Sequence, residues 1–184
     1  RMLRKEFRLA KPVQRATAYI SGLGLSELYL NGHKVSDHVL SPGLTDYTKR
    51  VYYVTHDVTR DLHAGANAVG VWLGNGRYYA PRLKVPTETV TYGFPKVRMQ
   101  IVVEHPDRSV TTLVTDGTWR LTTDGPISEN NEYDGEVYDA RKLPRGWASA
   151  GFDDDAWEPA RLVDAPPGQV VAQMIEPIRV TETL

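Results

Sequence analysis

The residues best suited to acid–base chemistry lie between positions 132 and 141, where four carboxylates precede one arginine: Glu132, Asp134, Glu136, Asp139 and Arg141. Enzymes that hydrolyse glycosides hold two carboxyl groups about 5–5.5 Å apart for retention, or about 6.5–9.5 Å apart for inversion. In an extended chain Glu136 and Asp139 would lie about 10 Å apart on opposite faces. This spacing disfavours a retaining pair. It favours an ion-paired loop in which Arg141 binds one carboxylate, and a role in ligand binding or domain contact stays open.

The loop at residues 75–79 combines polar and aromatic groups beside glycines. Sugar recognition uses flat aromatic faces against the C–H surface of the ring and forked polar groups for adjacent hydroxyls. Asn75 and Arg77 supply the polar groups, and Tyr78 and Tyr79 supply the rings. These residues predict the rim of a carbohydrate site. The alternative is a surface loop whose tyrosines pack on the edge of the fold or on a neighbouring domain.

Two other acidic segments could contact a ligand or a cation. Asp46 and Tyr47 follow a Pro-Gly loop, where Asp46 could bind a sugar hydroxyl or a hard cation such as calcium. The alternative is that Asp46 caps the turn. Asp153, Asp154 and Asp155 are consecutive, so they cannot all face one ion on a regular element. A capped turn that closes the fold is the favoured interpretation of the segment from Asp153 to Trp157.

Composition excludes several classes of function. The chain has 184 residues, 22 Lys plus Arg and 23 Asp plus Glu, for a net charge of -1. It has no basic excess and no Lys/Arg run of the kind that binds nucleic acid. No apolar stretch approaches the roughly 18 residues of a membrane span. Because Cys is absent, disulfides and thiolate chemistry are excluded. We therefore expect neither a nucleic-acid nor a membrane partner.

The elements that must position these groups are short strands. Ten Tyr, four Trp and many Val and Thr favour pleated, half-buried surfaces, and 15 Gly and 12 Pro punctuate them. Asn31-Gly32 between two strands is a strong hairpin signal. Helical turns are predicted only near 57–62 and 153–157, and residues 77–95 are predicted to form a long loop. The predicted strands are 16–21, 27–30, 33–35, 51–55, 68–73, 97–104, 109–115 and 119–122. This pattern predicts an all-β sandwich of the jelly-roll type with one or two short helical turns.

An ordered set of motifs resembles the N-terminal domain of bacterial α-L-rhamnosidases, which are glycoside hydrolases. Each motif is weak alone, but their order and spacing cover nearly the whole chain. In two places the chain differs from the usual family pattern: Arg77 stands where Trp is usual, and Thr48 stands where Asp is frequent. The motifs, in order, are Gly22-Leu23-Gly24, Glu27 to Gly32, Leu40 to Tyr47, Arg50 to Tyr53, Asp57-Val58-Thr59, Gly65 to Ala68, Leu73 to Gly76, Tyr133 to Arg141, Trp147, and Gly151 to Trp157.

The resemblance implies a galactose-binding-like β-sandwich that is accessory to a larger enzyme. The catalytic (α/α)-barrel of such enzymes is a downstream domain, so no catalytic residue is expected here and the barrel is an expected partner. Domains of this kind help to recognise substrate, and some bind L-rhamnose with calcium. A rhamnose-containing carbohydrate is therefore the expected ligand and calcium a possible cofactor. The candidate carbohydrate-binding residues are Asp46, Tyr47, Asn75, Arg77, Tyr78, Tyr79, Asn131, Glu136, Asp139 and Arg141.

We expect the chain to be a piece of a longer protein. The sandwich is predicted over residues 1–164, and residues 165–184, which begin Ala165-Pro166-Pro167-Gly168, are predicted to be a linker or the start of the next domain. No signal peptide is recognisable, so the compartment stays open between the bacterial cytoplasm and export. Two functions remain: help in sugar recognition, which we favour, and a purely structural role against the barrel.

Overall fold

The computed structural model of the chain describes residues 1–80 and 91–182, apart from the side chain of Asn131. Within these residues the regular elements are strands and one short 3-10 helix, Ala140–Lys142. The strands, in order, are β1 (Met2–Leu9), β2 (Arg15–Leu23), β3 (Leu25–Leu30), β4 (His33–Lys34), β5 (His38–Val39), β6 (Arg50–Asp57), β7 (Gly65–Gly74), β8 (Lys96–Glu104), β9 (Val110–Val114), β10 (Arg120–Thr122), β11 (Ile127–Asn131), β12 (Gly135–Tyr138), β13 (Glu158–Pro159), β14 (Gln169–Ala172) and β15 (Ile178–Arg179).

Two large sheets form the sandwich. One has six strands in the order β13-β10-β1-β7-β3-β4, and the other has five in the order β14-β6-β2-β8-β9. Two small pairs, β11-β12 and β15-β5, are separate ribbons. Most neighbours are antiparallel, and β14 pairs with β6 in parallel. The predicted all-β sandwich is confirmed.

The core lies between the two large sheets and follows from alternation along the strands. In β8 the inward positions Met99, Ile101 and Val103 are buried, and the residues between them are more exposed. β7 faces them with Val69 and Val71, which are fully buried. Apolar burial of this kind stabilises a fold by about 25 cal/mol per Å² of surface removed from water. The hydrophobic pattern therefore positions both sheets.

Two turns need residues that tolerate positive φ. Asn31 (φ 49°) and Gly32 (φ 88°) connect β3 to β4 in the predicted hairpin. Gly24 (φ 114°) lies where the chain leaves the five-stranded sheet and enters the six-stranded sheet. A Cβ on Gly24 would lie 2.3 Å from the Gly74 carbonyl oxygen, so no larger residue fits. The Gly22-Leu23-Gly24 and Gly74-Asn75-Gly76 motifs thus pack against each other.

Several segments differ from the sequence-based expectation. Asp57 ends β6, and residues 59–61 form a turn rather than a helix, in which the Asp61 N–H donates to the Val58 carbonyl at 3.1 Å. The Asp57 carboxylate caps this turn by accepting from the backbone N–H and hydroxyl of Thr59. β1 was not predicted because charged residues dilute its apolar pattern. The hairpin β11-β12 was predicted as loop. Between Asp153 and Trp157 the chain makes a turn, in which the Trp157 N–H donates to the Asp154 carbonyl at 2.9 Å.

The last part of the chain also contacts the sandwich. β14 extends the edge of the five-stranded sheet beside β6, and β15 pairs with β5. The division at residue 164 stays a prediction. In the described part of the chain, the structure contains no helix long and apolar enough to cross a membrane.

A histidine pair gives stability a pH dependence. The rings of His38 and His56 lie 5.5 Å apart, and burial, with the nearby His38, lowers the pKa of His56 from 6.5 to about 4. Between about pH 4 and pH 6.5, His56 therefore binds a proton in the unfolded chain but not in the folded chain. The free energy of unfolding should therefore rise with pH across this window, by about 1–3 kcal/mol. Urea denaturation at pH 4.5 and pH 7 should show this rise, and His56→Gln should reduce it. If the free energy of unfolding of His56→Gln rose with pH as much as that of the wild type, the assignment to His56 would be wrong.

Candidate functional site

The end of β7 carries Asn75 into contact with the hairpin β11-β12. The Asn75 backbone N–H donates to Asn130 Oδ1 at 2.9 Å, and its side-chain amide donates to the Asn130 carbonyl at 2.6 Å. Arg1 Nη1 donates to Asn75 Oδ1 at 2.8 Å, and Asn130 Nδ2 donates to Glu136 Oε2 at 3.0 Å. Two amides thus link a guanidinium to a carboxylate. The network holds the hairpin against the end of the sandwich.

A groove of about 180 Å³ opens beside this network. Its wall includes Trp72, Asn75, Ile127, Ser128 and Asn130. Trp72 is half-buried and its ring stacks on Trp147, with centroids 6.1 Å apart. The volume is below the roughly 300 Å³ at which drug-sized ligand sites begin. The groove therefore suits a ligand of about one ring, with an indole, an aliphatic side chain and amides available to it.

The predicted tyrosines divide between the interior and the surface. Tyr47 is 3% exposed and Tyr78 is 1% exposed. Their rings meet edge-on at 4.9 Å, and Tyr92 contacts both, at 5.1 and 5.8 Å. Burial raises the pKa of Tyr47 to about 12, although a hydrogen bond from the Gly24 backbone opposes the shift. Tyr47 and Tyr78 therefore support the loops from inside and present no ring face to solvent.

Tyr79 and Arg77 lie nearer the surface of the same loop. The Tyr79 ring packs 5.0 Å from the exposed ring of Phe94, and the Arg1 guanidinium lies 5.8 Å from that ring's centroid. Arg77 Nε lies 3.9 Å from Glu132 Oε2, so it joins the loop to the turn of the hairpin. Residues 81–90 of the predicted 77–95 loop lie outside the described residues.

Asp46 caps its own turn. Its Oδ1 accepts from the Thr48 backbone N–H at 3.0 Å and from the Thr48 hydroxyl at 2.6 Å, and its Oδ2 lies 3.3 Å from Lys49 Nζ. The Thr48 hydroxyl is the largest influence that holds the pKa of Asp46 below its usual range. This is the capping alternative that the sequence left open. Thr48, the residue that differs from the family pattern, donates both of these hydrogen bonds to the Asp46 carboxylate.

The acidic block from 132 to 141 is spread along the hairpin and the 3-10 helix. Arg141 forks onto Asp139, with Nε to Oδ1 and Nη2 to Oδ2 both 2.8 Å, which confirms the predicted ion pair. Asp139 also caps the 3-10 helix. Glu136 turns the other way, toward Asn130. Asn131 ends β11 opposite Gly135. The carboxylates of this block therefore bind different partners and do not form one cluster.

Calcium requires six to eight oxygen ligands, and the described acidic side chains do not gather in this way. Among residues 1–80 and 91–182, no group of three or more His, Asp or Glu side chains is placed to hold a metal ion. Asp46 is engaged with Thr48 and Lys49. Asp154 pairs with Arg4, and Asp153 accepts from the Asp155 N–H. The described carboxylates do not fit a calcium site, and we derive no role through that ion.

Sequence reasoning found Asn75 and missed Trp72, Ser128 and Asn130, which line the same groove. Trp72 lies in the predicted strand 68–73, whose nearly all-apolar sequence indicates packing in the core and gives no sign of a ligand contact. Asn130 lies only two residues from the acidic block, so its position in a Glu-Asn-Asn-Glu run before Gly135 was the available signal. The groove exists because the hairpin packs against β7, 55 residues away in sequence.

Comparison with known proteins gives one consistent result. The family model described as the α-L-rhamnosidase N-terminal domain matches residues 11–182. An α-L-rhamnosidase of Formosa agariphila is 38% identical over 181 residues, which cover 96% of this chain and 19% of that protein. The solved α-L-rhamnosidase of Dictyoglumus thermophilum has a TM-score of 0.89 and 45% identity, over 98% of this chain and 20% of that one.

A second solved structure, the Streptomyces avermitilis α-L-rhamnosidase complexed with L-rhamnose, has a TM-score of 0.89 and 40% identity, over 98% of this chain and 18% of that one. The chain thus spans about a fifth of the length of the relatives it matches.

Proposed function

The chain belongs to the family of α-L-rhamnosidase N-terminal domains, and we propose that it is a non-catalytic domain of a larger α-L-rhamnosidase that helps to bind rhamnose-containing carbohydrate. The observation that carries the proposal is the groove held open by the Asn75–Asn130 amide pair. It places Trp72 and polar side chains around a space of about 180 Å³.

The groove suits a deoxy sugar in three respects. The Trp72 ring offers an apolar surface for ring C–H groups. The side-chain amides of Asn75 and Asn130 bind each other's backbone, Arg1 and Glu136. Each amide nitrogen also carries a second N–H, and each amide oxygen a second lone pair, for neighbouring sugar hydroxyls. Ile127 adds an aliphatic contact that complements the C6 methyl group, which L-rhamnose carries in place of the hydroxymethyl group of the ordinary hexoses. The L-rhamnose complex of the Streptomyces avermitilis relative supports this choice of ligand.

The test is isothermal titration with L-rhamnose and rhamnosides, first with calcium and then with EDTA. We expect weak binding that Ser128→Tyr reduces at least tenfold, because Ser128 is exposed on the groove wall and a tyrosine there would fill the space. Thr112→Tyr, a matched change on β9, should leave binding unchanged. Binding that is lost with Tyr79→Ala but kept with Ser128→Tyr would move the site to the Tyr79–Phe94 surface. The EDTA arm tests calcium independently.

A purely structural role against the catalytic barrel is the second candidate. The burial of Tyr47 and Tyr78 favours this role, because it leaves fewer exposed aromatic rings for a sugar than the sequence predicts. No heat with any rhamnoside at millimolar concentration, in either buffer, would favour this role over recognition.

A further inference from the structure

Large aliphatic side chains collect on one exposed face of the domain. Two segments of the chain form it, residues 40–44 and residues 173–180, which include β15. The Gly43 N–H joins them by donating to Gln173 Oε1 at 2.8 Å. Ile178 pairs with Val39 across β15 and β5. The members of this face that are more than half exposed are Leu40, Leu44, Met174, Ile175, Ile178 and Val180. The Ile175 side chain also lies directly against Gly43, so the two segments are in contact. Exposed apolar side chains that cluster in this way mark an interaction site in soluble proteins.

A groove of about 460 Å³ continues from this face along β14. Its apolar lining includes Val171, Met174 and Ile175, and the cations Lys49 and Arg50 border it. Asp46 pairs with Lys49 at 3.3 Å and offsets part of that charge. The groove therefore offers aliphatic contacts beside a net positive edge. A partner with apolar side chains flanked by a carboxylate complements both features.

We propose that this face, residues 40–44 and 173–180 with the groove along β14, docks another domain of the same parent polypeptide. The inference rests on the proposed function, in which the chain is one domain of a larger enzyme. The chain spans about a fifth of the length of its relatives, so most of such a parent lies outside it and is tethered at high local concentration. The face lies away from the sugar groove: it is built on β5, β14 and β15, whereas the groove is built on β7 and β11.

Methionine oxidation gives a direct readout, because the three methionines differ sharply in exposure. Met174 is 89% exposed, and Met2 and Met99 are buried. With hydrogen peroxide and mass spectrometry, Met174 should oxidise rapidly in the 184-residue chain and at least tenfold more slowly in the parent enzyme. Met2 and Met99 are internal references in both samples. Equal rates for Met174 in the two samples would overturn the proposal.

Charge substitutions on this face test whether docking of the face is what protects Met174 in the parent. In the parent, Ile178→Asp or Leu44→Asp should restore rapid oxidation of Met174; Leu44 lies on a loop, so its change spares the strand pairing. Val110→Asp on β9, at the opposite edge of the same sheet, should not restore it. Protection that grows with the concentration of the 184-residue chain would assign the face to a second copy and overturn the proposal. Failure of the sugar titration would leave the Met174 result intact, so the two proposals fail separately.

Discussion

Replacement of Arg4 by methionine is expected to lower the free energy of unfolding by about 3–5 kcal/mol, the usual cost of removing one partner of a buried ion pair. Arg4 is only 1% exposed, in the middle of a sheet. Its Nε donates to the Trp147 carbonyl at 2.8 Å, and its Nη2 donates to the Ser149 carbonyl at 3.0 Å. Nη1 binds the Asp154 carboxylate. The guanidinium thus fastens residues 147–154 to β1.

The same segment closes one side of the sandwich with aromatic rings. Trp147 stacks on Trp72 and Trp157, with centroids 6.1 and 6.4 Å apart, and the Phe152 ring lies 5.2 Å from the Arg4 guanidinium. Methionine fills much of the volume of arginine but cannot donate to two carbonyls and a carboxylate. The loss should therefore exceed the loss of one surface ion pair, about 0–1 kcal/mol.

Chemical denaturation of Arg4→Met, Arg8→Met and wild type measures this effect. Arg8 lies on the same strand and is exposed, so Arg8→Met should change the free energy of unfolding by less than about 0.5 kcal/mol. In a double-mutant cycle, Asp154→Asn should cost much less in the Arg4→Met background than alone, because its partner is already absent. A loss in Arg4→Met no larger than in Arg8→Met would show that residues 147–154 are held by other contacts.

Arg4 also shows why β1 could not be predicted from the sequence. Four of the eight residues in Met2–Leu9 are charged, and a charged residue in a strand normally indicates an exposed face. The groups that allow Arg4 to be buried lie more than 140 residues further along the chain. The Asn31-Gly32 hairpin, in contrast, was predictable because all its determinants are local.

In the candidate site, too, the features with local determinants were predictable and those with long-range determinants were not. The capping bonds of Asp46 depend on Thr48 and Lys49, and the sequence offers this cap as one of two options. Asn75, in contrast, binds Asn130 and Arg1, which lie 55 and 74 residues away in sequence. Whether Tyr78 or Tyr79 faces solvent depends on Tyr47 and Phe94, which come from separate loops. Residue types alone do not decide this orientation. The groove beside Trp72 depends on the position of the hairpin β11-β12, a segment that the sequence pattern predicts to be a loop.

Replacement of Asn67 by alanine is the second large expected effect, a loss of about 2–4 kcal/mol, because each buried polar group left without a partner costs about 1–3 kcal/mol. Asn67 has no exposed surface. Its Nδ2 donates to the His63 and Gly65 carbonyls at 2.7 and 3.1 Å. Its Oδ1 accepts from Asn31 Nδ2 at 2.9 Å and from the His63 N–H at 3.2 Å.

The partner Asn31 extends this network to two further elements. Its Nδ2 also donates to the Asp61 carbonyl at 2.7 Å, and its Oδ1 accepts from the Ala68 N–H at 2.9 Å. One pair of amides therefore fixes the turn after β3 and the turns before β7. Both residues belong to separate family motifs in the sequence, and their contact gives those motifs a shared structural cause.

Thermal and urea denaturation of Asn67→Ala and Asn67→Asp distinguish hydrogen bonding from packing. Asn67→Asp preserves shape but removes both donors and buries a carboxylate, so it should destabilise the fold at neutral pH and recover partly as acid protonates the carboxylate. Gln100→Ala, an amide exposed on β8, should change the free energy of unfolding by less than about 0.5 kcal/mol. If Asn67→Asp were as stable as wild type at pH 7, the side-chain donors would not be what fixes these turns, and the cost of Asn67→Ala would belong to the cavity.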